Sequence, residues 1–303
     1  MSIVAGNMTI GMLVSFCSYM EKFFEALSKI MELNLNKQEV VVSYERMNEI
    51  LNSEKEENNG IILKEPIQKI QFRQVIFGYK DNLVLKKIDL SIENPGLYSL
   101  VGSNGCGKST IFKLLERFYE CKVGKIEINQ VPINKYSASD LRNNIVYMPK
   151  KPFFLQGTIM DNLKLGQNEI SDLEVIEVCK KVGIHSDIQK LEKGYYELIE
   201  SGGENFSSGQ KQKLGFVRVL LKKADIVLLD EVTSDLDGEA ERQICNQIEE
   251  IAKKAIVLNI AHKPESIRRS KKVFFIQGGK IVAEGTHKAL MKNCVDYKKI
   301  FAN

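Results

Sequence analysis

The sequence contains no tryptophan, holds three histidines in 303 residues, and forms no Cys-x-x-Cys pair from its six cysteines. Without tryptophan, a carbohydrate-type aromatic platform is disfavoured. Cys17, Cys106, Cys121, Cys179, Cys245 and Cys294 stand at no zinc spacing with the histidines. That fits a reducing compartment in which most thiols serve as small buried apolar groups. A strong charge bias is missing as well. The 43 Lys and Arg against 39 Asp and Glu leave +4, and the lysines are scattered rather than drawn into a stripe. Such a balance reads as solvated surface and makes no case for a nucleic-acid partner. There is no internal repeat and no long low-complexity tract. Residues 1–20 lack charge altogether, yet no basic region precedes the apolar run and no small-residue cleavage pattern follows, which disfavours a secretory signal.

What is present is a set of short motifs in one order. Gly102-Ser-Asn-Gly-Cys-Gly-Lys-Ser109 has the form G-x-x-x-x-G-K-[ST]. It follows an apolar run, 97–101, that reads as a buried strand, and it opens into 108–119, which reads as a helix. Strand, glycine loop and helix in that order are the setting of a phosphate cradle, where backbone N–H groups and the positive helix end face the phosphates. A tight glycine turn with an incidental lysine is the plain alternative. Against it stands a second apolar strand ending in two acids, Ile226-Val-Leu-Leu-Asp-Glu231. Asp230 there suits a Mg²⁺ carboxylate and Glu231 a catalytic one.

Between the two lies Phe206-Ser-Ser-Gly-Gln210, which resembles the signature sequence of ATP-binding cassette proteins, usually Leu-Ser-Gly-Gly-Gln. The chain therefore resembles the nucleotide-binding domain of an ABC transporter, of the exporter type that carries its membrane helices on the same chain. Further stretches are similar in register. Val75-Ile-Phe-Gly-Tyr79 resembles the strand bearing the adenine-stacking aromatic, and Gly157-Thr-Ile-Met-Asp-Asn162 the stretch after the Q-loop. Ser234-Asp-Leu-Asp237 resembles the D-loop, and Ile260-Ala-His262 the switch-histidine segment. The resemblance spans roughly residues 66–292.

The resemblance implies a site for ATP and Mg²⁺. Gly102, Ser103, Asn104, Gly105, Cys106, Gly107 and Thr110 would line the cradle around Lys108, whose ammonium meets the β- and γ-phosphates. Ser109 and Asp230 would serve the ion. Glu231 would orient or deprotonate the attacking water, and His262 would contact the γ-phosphate. Tyr79 would stack on adenine; an edge-strand tyrosine is the alternative. Ser207, Ser208, Gly209 and Gln210 would cap ATP held in another subunit's cradle, so the implied partner is a second ABC subunit, identical or not. Three residues depart from the family pattern. Lys150, in Tyr147-Met-Pro-Lys-Lys-Pro152, stands where the family has its Q-loop glutamine. A protonated lysine has donors and no acceptor, so it cannot replace that carbonyl ligand. Ser208 replaces the first signature glycine, and Asp235 the usual D-loop alanine. These changes bear on the rate of hydrolysis more than on ATP binding.

The expected architecture is α/β: a P-loop NTPase core of ABC ATPase type with an inserted helical subdomain, preceded by a long N-terminal membrane helix. Residues 1–52 are expected to form the last transmembrane helix (about 12–31) and its cytoplasmic stalk, 53–65 a polar linker, and 66–303 the ATPase domain. Gly6 to Gly11 resembles the outer loop before that helix. Lys22, Lys29 and Lys37 follow the apolar run and none precedes it, which places its C-terminal side in the cytoplasm. Glu21, Lys22 and Glu25 would face a wet cavity or a neighbouring helix rather than lipid; a soluble amphipathic helix is the alternative. Short β-rich runs are expected at 70–75, 88–92, 97–101, 125–128, 145–148, 226–230, 255–260, 273–276 and 280–283. Strands vanish between about 158 and 223, where helices at 171–183 and 208–222 take over within a helical subdomain of about 157–222. Ala240, Ile244, Ile248 and Ile251 make an apolar stripe on one later helix.

These readings imply ATP binding and hydrolysis that power export across a cell membrane, by a dimer with composite sites and its ATPase domains on the cytoplasmic side. The partners implied are the second ABC subunit, the remaining transmembrane helices and the membrane, with no nucleic acid. The family would place five membrane helices before Met1, so the chain alone is not expected to transport. The substrate, whether peptide, lipid or drug, stays open. A low-turnover ATP-binding switch, the weak half of a heterodimer, is the alternative; Lys150, Ser208 and Asp235 favour it, Glu231 and His262 oppose it. A soluble ABC ATPase acting on DNA or ribosomes is disfavoured by the uncharged N-terminal run and by Gly157–Asn162.

Overall fold

The computed structural model describes residues 9–53, 56, 59–165, 167 and 169–301. The chain divides into two compact units, Met1–Glu56 and Glu57–Asn303. In the first, one helix runs from Ile10 to Leu51 over 42 residues. Thr9 caps it, its hydroxyl accepting from the Met12 N–H at 3.2 Å. Large apolar side chains such as Phe16, Phe23, Phe24 and Leu27 are exposed along it. Glu25 and Lys29 pair one turn apart at 2.8 Å. With such charges in its first half, the helix is not apolar enough to count as a span: among the described residues no helix is long and apolar enough to cross a membrane. Of the expected outer loop Gly6–Gly11, residues 6–8 lie outside the described residues, while Thr9 caps this helix and Ile10 and Gly11 open it instead of looping.

The strands of the second unit begin with β1 (Lys69–Tyr79), β2 (Asn82–Glu93), β3 (Gly96–Val101), β4 (Val123–Ile128), β5 (Val131–Pro132) and β6 (Ile145–Met148). They continue with β7 (Gly157–Thr158), β8 (Leu198–Ile199), β9 (Ile226–Asp230), β10 (Ile256–Ile260), β11 (Lys272–Gln277) and β12 (Lys280–Gly285). Six of them form the central sheet in the order β12-β11-β3-β10-β9-β6. All its pairings are parallel except β11 with β12. The reason is visible in the residues: β10 is buried throughout, and β9 from Ile226 to Leu229, so both faces of these strands must be covered. Strand β2 behaves differently. Ile88, Leu90 and Ile92 are buried while Lys87, Asp89 and Ser91 are exposed, the alternation of a strand with one wet face. It belongs to the four-stranded antiparallel sheet β2-β1-β4-β5, whose apolar face packs with the central sheet around Phe72, Ile88, Leu100 and Phe112.

The other face of the central sheet carries the helix Gly238–Ala252, which buries Ala240, Ile244 and Ile248 and packs Ile251 at the margin. Asp237 caps it through the Ala240 N–H at 2.8 Å. The same core extends into a mainly helical region. There Asp172–Val182 starts on the Ser171 cap and stops where Gly183 turns left-handed, and Ser208–Lys222 follows the Ser207 cap. Two expectations need correction here. Strands do not vanish from this region: β7 and β8 pair antiparallel, two residues each, too short to leave a hydrophobic period. The helix opened by Lys108 ends at Leu115 instead of Tyr119, because Arg117 is left-handed at φ 54. The expected linker also has a docked end. Ile61 bridges Tyr136 in parallel and Leu63 donates to Asp140 at 2.6 Å, with Gly60 so close that a Cβ would lie 2.2 Å from the Ser137 nitrogen.

Candidate active site

Parallel strands deliver their C-terminal ends to one edge of the sheet, and the motif residues collect there. Residues 102–107 connect β3 to the helix Lys108–Leu115. This loop has no room for side chains at two of its glycines. A Cβ on Gly102 would lie 2.1 Å from the Ile276 carbonyl oxygen and 2.8 Å from the Cys106 sulfur. Gly107 has φ +105, and a Cβ there would meet Leu85 at 2.4 Å. Gly105 faces open space at φ +78. No side chain caps the helix at Gly107, so its first N–H groups point into the loop. Lys108 is buried and its ammonium donates to the carbonyls of Gly102 at 2.8 Å and Ser103 at 2.9 Å. The charge therefore sits inside the cradle formed by residues 102–107.

Ser109 and Asp230 come together from opposite sides of that edge. The Ser109 hydroxyl donates to Asp230 Oδ2 at 2.8 Å, and the Tyr147 phenol donates to the same oxygen at 3.3 Å. Burial first, and the Asp230 carboxylate second, push the Tyr147 phenol far above its usual range, so it remains a donor. A hydroxyl and a carboxylate in contact are hard oxygen ligands of the kind Mg²⁺ takes from protein when phosphates and water supply the rest. Among the described residues there is no group of three or more His, Cys, Asp or Glu that could hold a metal by itself. The residues fit a magnesium–nucleotide complex and do not make a closed protein cage.

Glu231 follows Asp230 with a left-handed φ of 53, a strained setting for a residue with a Cβ, and its N–H donates to the Ile260 carbonyl at 3.0 Å. Both carboxylate oxygens are engaged. Oε1 is 2.9 Å from His262 Nε2, and Oε2 accepts from Lys150 Nζ at 2.5 Å. Burial pushes the Glu231 carboxyl up, but the Lys150 hydrogen bond and the His262 and Lys150 charges outweigh it and hold it below its ordinary value. The same pairing raises the Lys150 ammonium. Lys150, expected near the nucleotide, thus turns to the expected catalytic acid.

Tyr79 ends β1 beside the loop helix: its hydroxyl lies 3.4 Å from Thr110 Oγ1, and Lys113 sits 5.4 Å over its ring. Tyr119 meets it edge-on at 5.1 Å. Tyr119 and Tyr147 were not expected in the site; no periodicity marks either, because the left-handed turn at Arg117 and the end of β6 place them.

The signature residues form a capping box: the Gln210 N–H donates to the Ser207 hydroxyl at 3.2 Å and the Ser207 N–H to the Gln210 side chain at 3.0 Å. Ser208 opens the helix, and a Cβ on Gly209 would lie 3.4 Å from the Asp235 carbonyl oxygen. The buried Gln212 ties this helix to the next loop, donating to Ser234 at 3.1 Å and accepting from the Asp235 N–H at 3.3 Å. Among the described residues no hydrogen bond joins Ser207–Gln210 to the loop at 102–110.

Comparison with known proteins agrees with this geometry. The ABC transporter family model matches residues 85–234. The ABC multidrug transporter MDR2 of Trichophyton rubrum is 38% identical over 235 residues, which is 76% of this chain and 17% of that protein. The uncharacterized ABC transporter ATP-binding protein YknV of Bacillus subtilis is 33% identical over 289 residues, 94% of this chain and 48% of that protein. A solved structure of a bacterial Atm1-family ABC exporter with ATP bound superposes with a TM-score of 0.81 at 27% identity, over 98% of this chain and 53% of that one. The chain spans about half, or less, of the length of these relatives. It belongs to the ABC transporter family, whose ATPase domain it carries.

Proposed function

We propose that this chain binds and hydrolyses ATP with Mg²⁺ at a site completed by a second ABC subunit, and that the turnover drives export across a membrane. One observation carries the reading: the cradle with Lys108, the Ser109–Asp230 pair, Glu231 and His262 meet at one sheet edge, whereas among the described residues the signature on the same chain makes no hydrogen bond to that cradle. Lys108 would hold the β- and γ-phosphates, with the loop N–H groups fixing their orientation. Ser109 and Asp230 would hold Mg²⁺, which neutralises charge on the phosphates when bound. Glu231 would accept a hydrogen bond from the attacking water and aim it in line, and His262 would steady the carboxylate and reach the γ-phosphate. The Ser207-capped helix would meet the partner subunit's ATP with its positive end. Tyr79, steadied by Tyr119, would stack on adenine.

The membrane part of the proposal concerns Ile10–Leu51. Its exposed apolar side chains suit other membrane helices and lipid, and Glu21, Lys22 and Glu25 would turn towards protein or a wet cavity. The ATPase domain would then lie on the cytoplasmic side. The second reading, a low-turnover switch subunit, is favoured by the contact of Lys150 with Glu231. Sedimentation of Glu231→Gln tests the main reading: with MgATP it should shift to a dimer and hydrolyse nothing, and a chain that stays monomeric at saturating MgATP would contradict it.

A further inference from the structure

The order of strands in the sheet makes neighbours of three residues that are far apart in the chain. β9 lies between β10 and β6, all parallel. Glu231 is the first residue after β9, His262 the second after β10, and Lys150 the second after β6. A long basic side chain at position 150 is therefore carried to the carboxylate from one side, and the imidazole from the other. The contacts are direct, 2.5 Å to Oε2 and 2.9 Å to Oε1.

We infer that Lys150 is a positioning residue that latches Glu231 away from the attacking water, so that turnover waits for the lysine to swing out. The inference rests on the ATPase reading above. Each carboxylate oxygen gives one acceptor site to a basic partner, and Glu231 Oε2 gives its site to an ammonium that water cannot displace without separating an ion pair. The charged and titratable groups around this acid are Lys150 and His262 in contact, Asp230 before it, and Asp235 on the following loop, whose carboxylate adds to the hold on Lys150. The latch is built to open. The Lys150 side chain is 53% exposed, makes no other hydrogen bond or ion pair among the described residues, and stands on a flexible four-carbon stem. Exposed ion pairs are weak, so the effect is a slowing of turnover rather than its loss.

The test is kcat and KM for MgATP in the full chain and its Lys150 variants, with binding of a fluorescent ATP analogue measured alongside. Lys150→Met should raise kcat about three- to tenfold, roughly 0.65–1.4 kcal/mol of barrier, with KM little changed. Lys150→Arg, which restores a cationic donor to the carboxylate, should return to within about twofold of the wild type. In a Glu231→Gln background, Lys150→Met should change nothing. Equal kcat in the wild type and Lys150→Met overturns the latch. A rise in Lys150→Gln but not in Lys150→Met also overturns it, because a restored glutamine carbonyl would then be the cause. Failure of every chain to bind the ATP analogue would overturn the reading of the site itself, and the latch with it.

Discussion

The hydroxyl of Ser109 and the carboxylate of Asp230 share a hydrogen bond of 2.8 Å across a separation of 121 residues. It joins the start of the loop helix to the end of β9, and it brings together the two oxygens that the account gives to Mg²⁺. Asp230→Asn keeps the shape and one acceptor but removes the charge. Its hydrolysis should fall by about 100-fold or more, as when a group that stabilises transferring charge is lost. Binding of ATP in EDTA should be unchanged. A titration of activity against Mg²⁺ checks this, and the variant should need more of the ion.

Gln212 is the buried link between the signature helix and the loop of Ser234 and Asp235. Gln212→Leu leaves the Asp235 N–H without that partner, and an unsatisfied buried group costs about 1–3 kcal/mol. The melting temperature should fall by a few degrees. Gln212→Glu keeps the acceptor for that N–H but buries a charge, so it should recover only part of the loss. Thermal melts of both variants decide it.

Glu116 offers a pH signature. Burial raises its carboxyl from the ordinary 4.5 up to about 7, against the lowering pull of Arg142 and Lys222, and Oε2 is buried with no hydrogen-bond partner among the described residues. A carboxyl whose pKa is higher in the folded state binds more protons there than in the unfolded chain. Its contribution is therefore full below about 4.5 and lost as pH rises through about 7. Glu116→Gln cannot ionise, so its melting temperature relative to the wild type should climb between pH 5 and pH 8. A difference that stays flat across that range would contradict the buried neutral acid.

Much of this was legible in the residues. Of the nine expected β-rich runs, six lie inside longer strands, those at 145–148 and 226–230 coincide with β6 and β9, and 255–260 begins one residue before β10. Buried parallel strands write themselves as short continuous apolar runs, and caps such as Ser171 and Ser207 mark helix starts. The nucleotide cradle was legible because glycines at 102 and 107 answer a steric demand. What could not be read was lateral order. Nothing in the runs says that β6 lies beside β9, so the sequence presents Lys150 as an unfit substitute for a carbonyl ligand and not as a partner of Glu231. Tyr147, which shares Asp230 with Ser109, was hidden for the same reason. The β7–β8 pair and the end of the loop helix depend on two-residue contacts and one left-handed residue, which carry no period.

The proposed function requires one chain's cradle to work with another chain's signature helix. Mixing two crippled chains tests it most directly. Lys108→Ala loses the phosphate charge, and Ser207→Arg loses the capping box and places a long side chain on the surface that would meet the partner's ATP. Each alone should hydrolyse almost nothing. In a mixed dimer, the intact cradle of the second chain meets the intact signature of the first, so the mixture should regain a substantial fraction of wild-type MgATP hydrolysis. A mixture no more active than its two components, beside an active wild-type chain, would contradict the composite site.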